Sequence, residues 1–406
     1  VFNPKLSARY DPKRLKITWP NVPVLSLISV FDRVNDYMRP AAKYFIELLM
    51  KHQETPFITD TVDNFIFAGS SRKLFISMHE YFAIRTAILY LTGLKRWPLP
   101  DNKFAILYNR NNTWLPGIDH NFTIAAGFGP NQLPADLNQF KLMDGSPKLT
   151  YWGEAGQCNH LGGTDGQFFA PSLNYTDDIS IYSMDICRKL HFKFRKITQV
   201  TGVTAYKYTL DEKSLQSPAR NPENACYCMG NDYEECKLDG LVNLSTCAAD
   251  NVYASGSHFF NGSPKLSTRL AGLRPPNRTL DEPTIYTEPN TGFAIKVNVP
   301  IQFNVKLERS DFDIVKFFQD PQPLYIPLLI ITEAAELEED QASLLLHKLI
   351  LIDPWMMSMV MGGAIILVLV LLISITIFIR SRKRKRRRSS KPNDRSSLLR
   401  RGKTRH

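Results

Sequence analysis

The chain has 406 residues, with 50 lysines and arginines against 39 aspartates and glutamates, and a formal net charge of +11. Residues 380–406 contain 14 lysines and arginines against one aspartate, so the remaining residues 1–379 sum to about −2. Because the positive charge is concentrated in residues 380–406, the net charge of the chain gives no reason to expect nucleic-acid binding by its folded part.

The first predicted elements are helices that lie on both sides of Pro40. After this proline, apolar residues recur at the spacing of one helix face, while charged residues four apart line the opposite face. The apolar face consists of Ala42, Phe45, Ile46 and Leu49, and the charged line of Lys43, Glu47 and Lys51. The segments TDTVDNFIFAG and SMHEYFAIRTAILYL are further helical candidates. We therefore expect a cluster of helices over about residues 22–95.

Strands are predicted in the second half of the chain. Apolar and polar residues alternate from Phe293 to Leu307, which predicts a long half-buried strand, bent or at a sheet edge at Pro300. The segments HFKFRKI and VTAYKYTL alternate in the same way. We expect an α+β fold in which an antiparallel β-barrel or sandwich, about residues 100–350, carries the helices as a bundle-like cap.

A transmembrane helix is predicted near the end of the chain. Trp355 to Ile379 is a run of about 25 uncharged residues, enough to cross a hydrocarbon core of about 30 Å. The run RSRKRKRRR follows, and positive charge beside a span stays in the cytoplasm. Residues 1–354 are therefore predicted to be extracellular or lumenal, and residues 380–406 to be a basic cytoplasmic tail that contacts anionic lipid headgroups.

The start of the chain gives no account of how the large domain crosses the membrane. The sequence opens at Val1 without a visible signal peptide. We expect that an N-terminal portion, carrying a signal or a first span, is absent from this chain.

Six Asn-x-Ser/Thr sequons agree with this topology because all of them precede the span. They are Asn111, Asn121, Asn174, Asn243, Asn261 and Asn277. Pro264 follows the third residue of one sequon and makes Asn261 a poor acceptor. The others are predicted N-glycosylation sites.

All six cysteines also precede the span: Cys158, Cys187, Cys226, Cys228, Cys236 and Cys247. An even number of cysteines in an oxidising compartment predicts three disulfide bonds, with fifteen possible pairings. A zinc site is disfavoured because the cysteines do not repeat at ligand spacing and His160 is isolated. A Cys-x-x-Cys redox motif is absent from the sequence.

No motif in the sequence predicts catalysis. The pair His79 and Glu80 lacks the second histidine of a zinc-protease helix, and neither a Gly-x-Ser-x-Gly nor a Walker motif occurs. Ser257 and His258 are adjacent, and adjacent residues on a strand point to opposite faces, which favours a structural role. We predict no catalytic residue, no metal and no cofactor.

Six segments in the second half of the chain carry a family resemblance: YWGEAGQC, GGTDG, SMDICRKL, NPENACYC, ASGSHFFNGSP and EPNTGFAIKVNVPIQFNV. In their order and in the gaps between the cysteines, they resemble the ectodomain of the class B scavenger receptor family. The family includes the fatty-acid translocase, the high-density-lipoprotein receptor and the lysosomal integral membrane protein. The chain departs from it at Ser257, where the family has proline, and at Ile66-Phe67-Ala68-Gly69, where it has Leu-Trp-Gly-Tyr.

This resemblance implies a disulfide pairing and a function. The pairs would be Cys158 with Cys226, Cys187 with Cys247 and Cys228 with Cys236. The fold alone favours a filled core, but the resemblance implies a tunnel that passes lipid from the helical apex towards the bilayer. The chain would then be a membrane receptor for lipids, fatty acids, sterols or lipoproteins, with Lys51 and Lys43 as electrostatic contacts in the cap.

A second interpretation is a lysosomal or endosomal trafficking receptor. The segment DRSSLL, with Asp394, Leu398 and Leu399, matches the acidic dileucine motif that clathrin adaptors bind. FIELLMKHQETPFITDTVDNF resembles the cap of the lysosomal member, which carries a lysosomal hydrolase, and His52 is then a candidate pH-sensitive contact. The Cys-Tyr-Cys spacing resembles the lipid-receptor members instead, so plasma-membrane and lysosomal locations both stay open.

Overall fold

The computed structural model describes the greater part of the chain. The described residues are 10–33, 37, 39–40, 43–44, 47, 55–71, 103–107, 120–127, 134–153, 156–228, 234–247, 251–352 and 354–389. The chain divides into two compact units, Val1–Leu337 and Glu338–His406. The fold is a mixture of helix and sheet in the first unit and helical, where described, in the second.

The strands of the first unit are β1 (Lys16–Pro20), β2 (Phe57–Thr61), β3 (Ser70–Ser71), β4 (Lys103–Phe104), β5 (Phe122–Ile124), β6 (Phe140–Met143), β7 (Ile179–Ser183), β8 (Arg188–Val200), β9 (Val203–Leu210), β10 (Leu241–Asn243), β11 (Val252–Gly256), β12 (Thr284–Thr287), β13 (Ala294–Leu307) and β14 (Leu324–Glu336). Two of its α-helices have described bounds, α1 (Val22–Asp32) and α2 (Arg278–Asp281). The second unit contains α3 (Glu339–Ile352) and α4 (Pro354–Ser389).

The largest sheet is antiparallel and forks at β13. Its order is β10-β11-β13-β12-β9-β8-β7, and β14 pairs with the other edge of β13. On the first edge, residues 294–298 pair with β12 and residues 301–305 pair with β11. Pro300 falls between these two partners, so its missing N–H interrupts neither the β11 nor the β12 ladder, and on the other edge it lies opposite Thr332 of β14.

The predicted strands at Phe293 to Leu307, HFKFRKI and VTAYKYTL are confirmed as β13, part of β8, and β9. The predicted barrel, in contrast, is not confirmed by the described strand pairings. Within the described residues, β7 and β10 end the long path of the sheet, and β1–β2, β3–β4 and β5–β6 form separate two-stranded sheets. These pairings do not close a barrel, so closure stays a prediction.

Helix α1 opens the predicted helical region and lies in the core of the first unit. Its sequence VPVLSLISVFD has no charged residue before its last position, and most of its side chains are buried. It packs with Val305 and Leu307 of β13 and with Phe312 and Val315 of the following loop. A second cluster, which includes Phe192, Tyr208 and Ile285, fills one face of the large sheet.

The helix predicted over TDTVDNFIFAG is wrong in its first part. Thr59 to Thr61 belong to β2, which pairs antiparallel with β1, and the π-helical segment is limited to Asn64–Ala68. Pairing with a distant strand has overridden the local preference of these residues. The helix after Pro40 is helical at 43–44 and 47, whereas SMHEYFAIRTAILYL lies outside the described residues. The helical-bundle cap therefore stays a prediction.

Among its described residues, the second unit has one helix that is long and apolar enough to cross a membrane, Ser358–Arg386 within α4, and an 18-residue stretch of this helix has a mean hydropathy of 2.9. The predicted span, residues 355–379, lies inside α4, and the basic run continues the same helix to Ser389. Residues 390–406 of the predicted tail lie outside the described residues.

Candidate functional site

The first unit contains a cavity of about 420 Å³. Val22 of α1, Phe303 of β13, and Leu328 and Ile331 of β14 form part of its apolar wall. Side chains of one strand alternate between two faces, so the same strands that fill the core can also present apolar residues to a cavity. A cavity of this size with an apolar wall is typical of a small-molecule site.

One end of the cavity is polar. His120, Tyr151, Tyr182 and Asp185 are among the residues that line it. His120 lies two residues before β5 and Asp144 directly after β6, so pairing of these two strands brings them together. Their side chains are in contact, with His120 Nδ1 2.6 Å from Asp144 Oδ2. On its other side, the imidazole lies close to a phenol, with Tyr151 Oη 3.3 Å from His120 Nε2.

Three groups in this region, Asp144, Tyr151 and Tyr182, have shifted pKa values. The hydrogen bond from His120 and the backbone N–H of Asn121 lower the pKa of Asp144, so it is a carboxylate at neutral pH. Burial, and then the negative charge of Asp144, raise the pKa of Tyr151. Burial likewise raises the pKa of Tyr182. Both phenols in the cavity wall therefore keep their protons.

Three disulfide bonds lie in the first unit. They join Cys158 with Cys226, Cys187 with Cys247 and Cys228 with Cys236, the pairs that the resemblance implies. Two of these bonds close long loops, with sequence separations of 68 and 60 residues. Cys187 and Cys247 line the cavity, so one bond is part of its wall.

Aromatic residues pack around the disulfides. Trp152 Nε1 donates to the carbonyl oxygen of Cys187 at 2.9 Å, and its ring meets that of Tyr227 edge-on at 5.1 Å. The guanidinium carbon of Arg188 lies over the same Tyr227 ring, 3.5 Å from its centroid. Burial lowers the pKa of Arg188 to about 10, which still leaves it charged at neutral pH. The cationic group and the rings thus pack around Cys187, whose disulfide bond is part of the cavity wall.

Ser257 and His258 lie in a 3-10 turn and not on a strand, so their side chains come together, with Ser257 Oγ 3.0 Å from His258 Nδ1. The Ser257 hydroxyl donates to Asp281 Oδ1 at 2.7 Å, and His258 Nδ1 lies 3.2 Å from the same oxygen. Arg274 donates two hydrogen bonds to Asp281, at 2.6 and 2.7 Å. Burial alone would raise the pKa of Asp281, but Arg274, the N–H of Asn277 and Ser257 lower it. The serine proton is committed to a buried carboxylate, so the geometry gives this group a structural role.

Of the two lysines predicted to contact ligand, Lys43 is described. Its Nζ lies 3.8 Å from Glu47 Oε1, the i, i+4 pair expected on this helix, and both side chains are partly exposed. Lys51 and His52 lie outside the described residues, as do His79, Glu80, Asn111 and the dileucine residues Asp394, Leu398 and Leu399. The roles predicted for these residues stay predictions.

The sequons differ in their surroundings. Four of them present exposed asparagines: Asn121, Asn174, Asn261 and Asn277. Asn243 is half-buried, and its Nδ2 donates to Glu235 Oε1 at 3.2 Å, while its Oδ1 accepts the N–H of Ser245 at 2.9 Å. Glu235 is buried and also accepts the hydroxyl proton of Tyr253. The nitrogen that a glycan would modify thus points at a buried carboxylate.

We expect Asn243 to stay largely unmodified in the folded protein, because a sugar at Nδ2 would displace Glu235 from its partner. Asn243→Gln should leave the mass of the glycoprotein from a secretory host unchanged, whereas Asn174→Gln should lower it by one glycan. Peptide mass spectrometry after enzymatic deglycosylation measures the occupancy of each site. High occupancy at Asn243 in folded protein would contradict the structure here.

No signal in the sequence predicted the group of His120, Asp144 and Tyr151. These residues are 24 and 7 positions apart and match no motif, and only the β5–β6 pairing and the packing of Tyr151 beside Phe140 and Leu149 bring them together. The disulfide bonds, in contrast, could be predicted from the even number of cysteines and, through the family resemblance, from the gaps between them.

Comparison with known proteins gives one family and a group of relatives. The model of the CD36 family matches residues 1–379. Sensory neuron membrane protein 1 of Helicoverpa armigera is 31% identical over 283 residues, 68% of this chain and 51% of the relative. The proteins of the same name from Heliothis virescens and Antheraea polyphemus are 31% and 26% identical over 64% and 86% of this chain.

The chain spans only part of these relatives. It covers 51%, 46% and 64% of the lengths of the Helicoverpa, Heliothis and Antheraea proteins, respectively. The similarity therefore bears on the matched region, and not on what those whole proteins do.

Proposed function

Because the chain belongs to the CD36 family, and is thus a class B scavenger receptor-like membrane protein, we propose that it binds lipid in the cavity of its first unit. The observation that carries this proposal is the cavity itself. Its wall is mainly apolar, while His120, Tyr151, Tyr182 and Asp185 lie among its lining residues. An amphipathic lipid needs both surfaces, since its chain must leave water and its head must keep hydrogen bonds.

The path of the lipid is the second part of the proposal. The helical region that includes Lys43 and Lys51 would capture a lipid or lipoprotein particle, and the cavity would pass lipid on towards the membrane that α4 spans. Closure of the large sheet into a barrel would enclose this path. The large unit would then be extracellular or lumenal, and the basic end of α4 cytoplasmic.

Filling the cavity tests the proposal. Ile331 lines the cavity from β14, and its neighbour Ile330 is 37% exposed. Ile331→Trp should lower the lipid bound to the purified full-length protein by about tenfold or more, because the indole occupies the space that the lipid chain needs. Ile330→Trp is the matched control and should leave lipid binding unchanged, since adjacent side chains of a strand point to opposite faces.

Lipid bound is measured by mass spectrometry of extracts from protein in nanodiscs, with empty nanodiscs as the background. Thermal melting shows whether both variants are folded. Equal lipid content in the wild type and a folded Ile331→Trp variant would mean that this cavity is not the lipid site.

The trafficking interpretation rests on sequence alone. Asp394, Leu398 and Leu399 match the motif that clathrin adaptors bind, and a lysosomal hydrolase would be the cargo of the helical region. Neither partner replaces the cavity as the main proposal, because no described residue argues for either of them. Both stay predictions.

A further inference from the structure

One face of the large sheet carries a row of basic residues that is separate from the cavity. The segment from Arg188 to Leu210, which contains β8 and β9, has six lysines and arginines and no acidic residue. Tyr208 and Ile285 belong to the core cluster on one face of this sheet. Their neighbours Lys207 and Tyr286 lie on the opposite face, because adjacent residues of a strand point to opposite faces.

Strand register places four side chains of this opposite face in one line across β8, β9, β12 and β13. Lys196 of β8 pairs with Lys207 of β9. Tyr286 of β12 pairs with Lys207 on one side and with Lys296 of β13 on the other. Neighbouring strands lie about 4.8 Å apart, so the three steps from the first lysine to the last span about 14 Å. We call these four residues the cationic row, and none of them is among the described residues that line the cavity.

The β8 end of the cationic row contains an unfavourable pair. Lys196 stands directly opposite Lys207, and like charges in this position destabilise a sheet. A β-bulge adds another cation, because the register shifts between Phe194 and Lys196 and leaves Arg195 as an extra residue. Arg195 is exposed, and its Nε donates to Thr209 Oγ1 at 2.6 Å. This contact orients the guanidinium beside the two lysines and leaves its terminal nitrogens as donors for an anion.

Carboxylates neutralise one end of the cationic row better than the other. Lys296 Nζ lies 2.9 Å from Glu336 Oε1, whereas Lys207 Nζ lies 3.9 Å from Glu282 Oε2. Lys196 is exposed and forms no ion pair with any residue that the structure describes. The positive charge that stays without a carboxylate is therefore concentrated at the β8 end.

Tyr286 gives the cationic row an aromatic surface between its lysines. The ring is half-buried, with Lys207 Nζ 5.8 Å and Lys296 Nζ 6.0 Å from its centroid. A sugar ring packs its C–H face on an aromatic ring, and sulfate groups form charge-assisted hydrogen bonds with lysine and arginine. The ligand that fits this surface is thus extended, with anionic groups on both sides of a sugar ring.

We propose that the cationic row binds a sulfated polysaccharide of the glycosaminoglycan class. The sugar ring packs on Tyr286, and its sulfates contact Lys196 and Arg195 on one side and Lys296 on the other. A single sulfate or phosphate ion is too short to span about 14 Å, and a flat anionic bilayer supplies no sugar ring for the tyrosine. The large unit is predicted to be extracellular or lumenal, where such polysaccharides occur. This proposal does not depend on lipid binding in the cavity.

Acetylation of lysines, read by peptide mass spectrometry, tests the proposal on the full-length protein in phosphatidylcholine nanodiscs. With a heparin hexasaccharide at about ten times its Kd, acetylation of Lys196, Lys207 and Lys296 should slow by about tenfold, because only the unbound protein reacts. Lys265 is exposed and lies outside the cationic row, so its rate should not change. Each lysine is read separately, so binding to the basic end of α4 does not obscure the result. The same hexasaccharide without its sulfates should protect none of them.

Two variants separate binding from stability. Lys196→Glu should weaken hexasaccharide binding, measured by protection of Lys296, by about tenfold, because a charge-assisted contact is lost. The same change should not lower the melting temperature, because it replaces a like-charge pair with Lys207 by an opposite-charge pair. Tyr286→Thr should weaken binding by about fivefold, the effect of the lost ring. Lys265→Glu is the control and should bind like the wild type.

Three outcomes would contradict the proposal. The first is equal acetylation of the cationic row with and without the hexasaccharide. The second is unchanged affinity in a folded Lys196→Glu variant. The third comes from phosphatidylglycerol vesicles added in place of the hexasaccharide: if they protect the row as well as it does, and Tyr286→Thr leaves hexasaccharide binding unchanged, the face binds anionic surfaces in general and is not a polysaccharide site.

Discussion

Replacing Gly292 by alanine should lower the free energy of unfolding by roughly 3 to 4 kcal/mol, from the left-handed backbone and from overpacking together. Gly292 has a φ of +72°, and a Cβ at this position would overlap the carbonyl oxygen of Phe169 and lie 2.6 Å from that of Ala170. These atoms belong to the backbone, so a rotamer change cannot relieve the contact. The two segments are also tied together, because the N–H of Phe169 donates to the carbonyl of Gly292 at 2.8 Å.

Gly202 provides the matched control. It has a φ of +80°, close to that of Gly292, but no heavy atom lies within 4 Å of a Cβ built on it. Gly202→Ala should therefore cost only about 1 to 2 kcal/mol, the backbone contribution alone. Thermal melting of both variants in the full-length protein measures the difference. Equal losses would mean that the close approach to Phe169 and Ala170 contributes nothing.

The expected loss at Gly292 is a large part of the stability of an ordinary domain, which is about 5 to 15 kcal/mol. Gly292 precedes β13, the strand that pairs with three others. The chain that it contacts carries Phe169 into the core cluster of the large sheet. A substitution at this turn therefore weakens the contact between the turn before β13 and the core of the large sheet.

The sequence predicted β13 because its information is local. Alternation from Phe293 to Leu307 needs only the period of a strand, and Pro300 marked a special position within it. The role of that position was not predictable, since the fork between β11 and β12 depends on which distant strands pair with each half. The pattern within a segment predicts a strand, but it does not predict which other strands will pair with that strand.

Helix α1 shows what hydrophobic periodicity cannot predict. VPVLSLISVFD is apolar on nearly every face, so its pattern does not say what will cover it. The sequence placed it at the start of a helical cap, whereas the structure buries it against β13. The same limit applies to the polar end of the cavity, where Asp144 and Tyr151 meet His120 through tertiary packing alone.

Removal of the Cys187–Cys247 bond should destabilise the first unit by about 4 kcal/mol, because its loop is long and its loss returns conformational entropy to the unfolded chain. The sequence separation is 60 residues in this bond and 8 residues in the Cys228–Cys236 bond. The double variant Cys187→Ser, Cys247→Ser should therefore lose more stability than Cys228→Ser, Cys236→Ser, for which the same relation gives about 2.5 kcal/mol. Chemical unfolding of each purified variant measures both values.

The two bonds should also differ in their effect on lipid binding. Cys187 and Cys247 line the cavity, whereas Cys228 and Cys236 are not among the described residues that do. The Cys187 carbonyl accepts from Trp152, so loss of this bond loosens a wall that aromatic packing otherwise holds in place. At a temperature where both double variants are folded, we expect lower lipid content in the first variant and wild-type content in the second. Equal lipid content in the two would mean that the bond stabilises the fold without shaping the cavity.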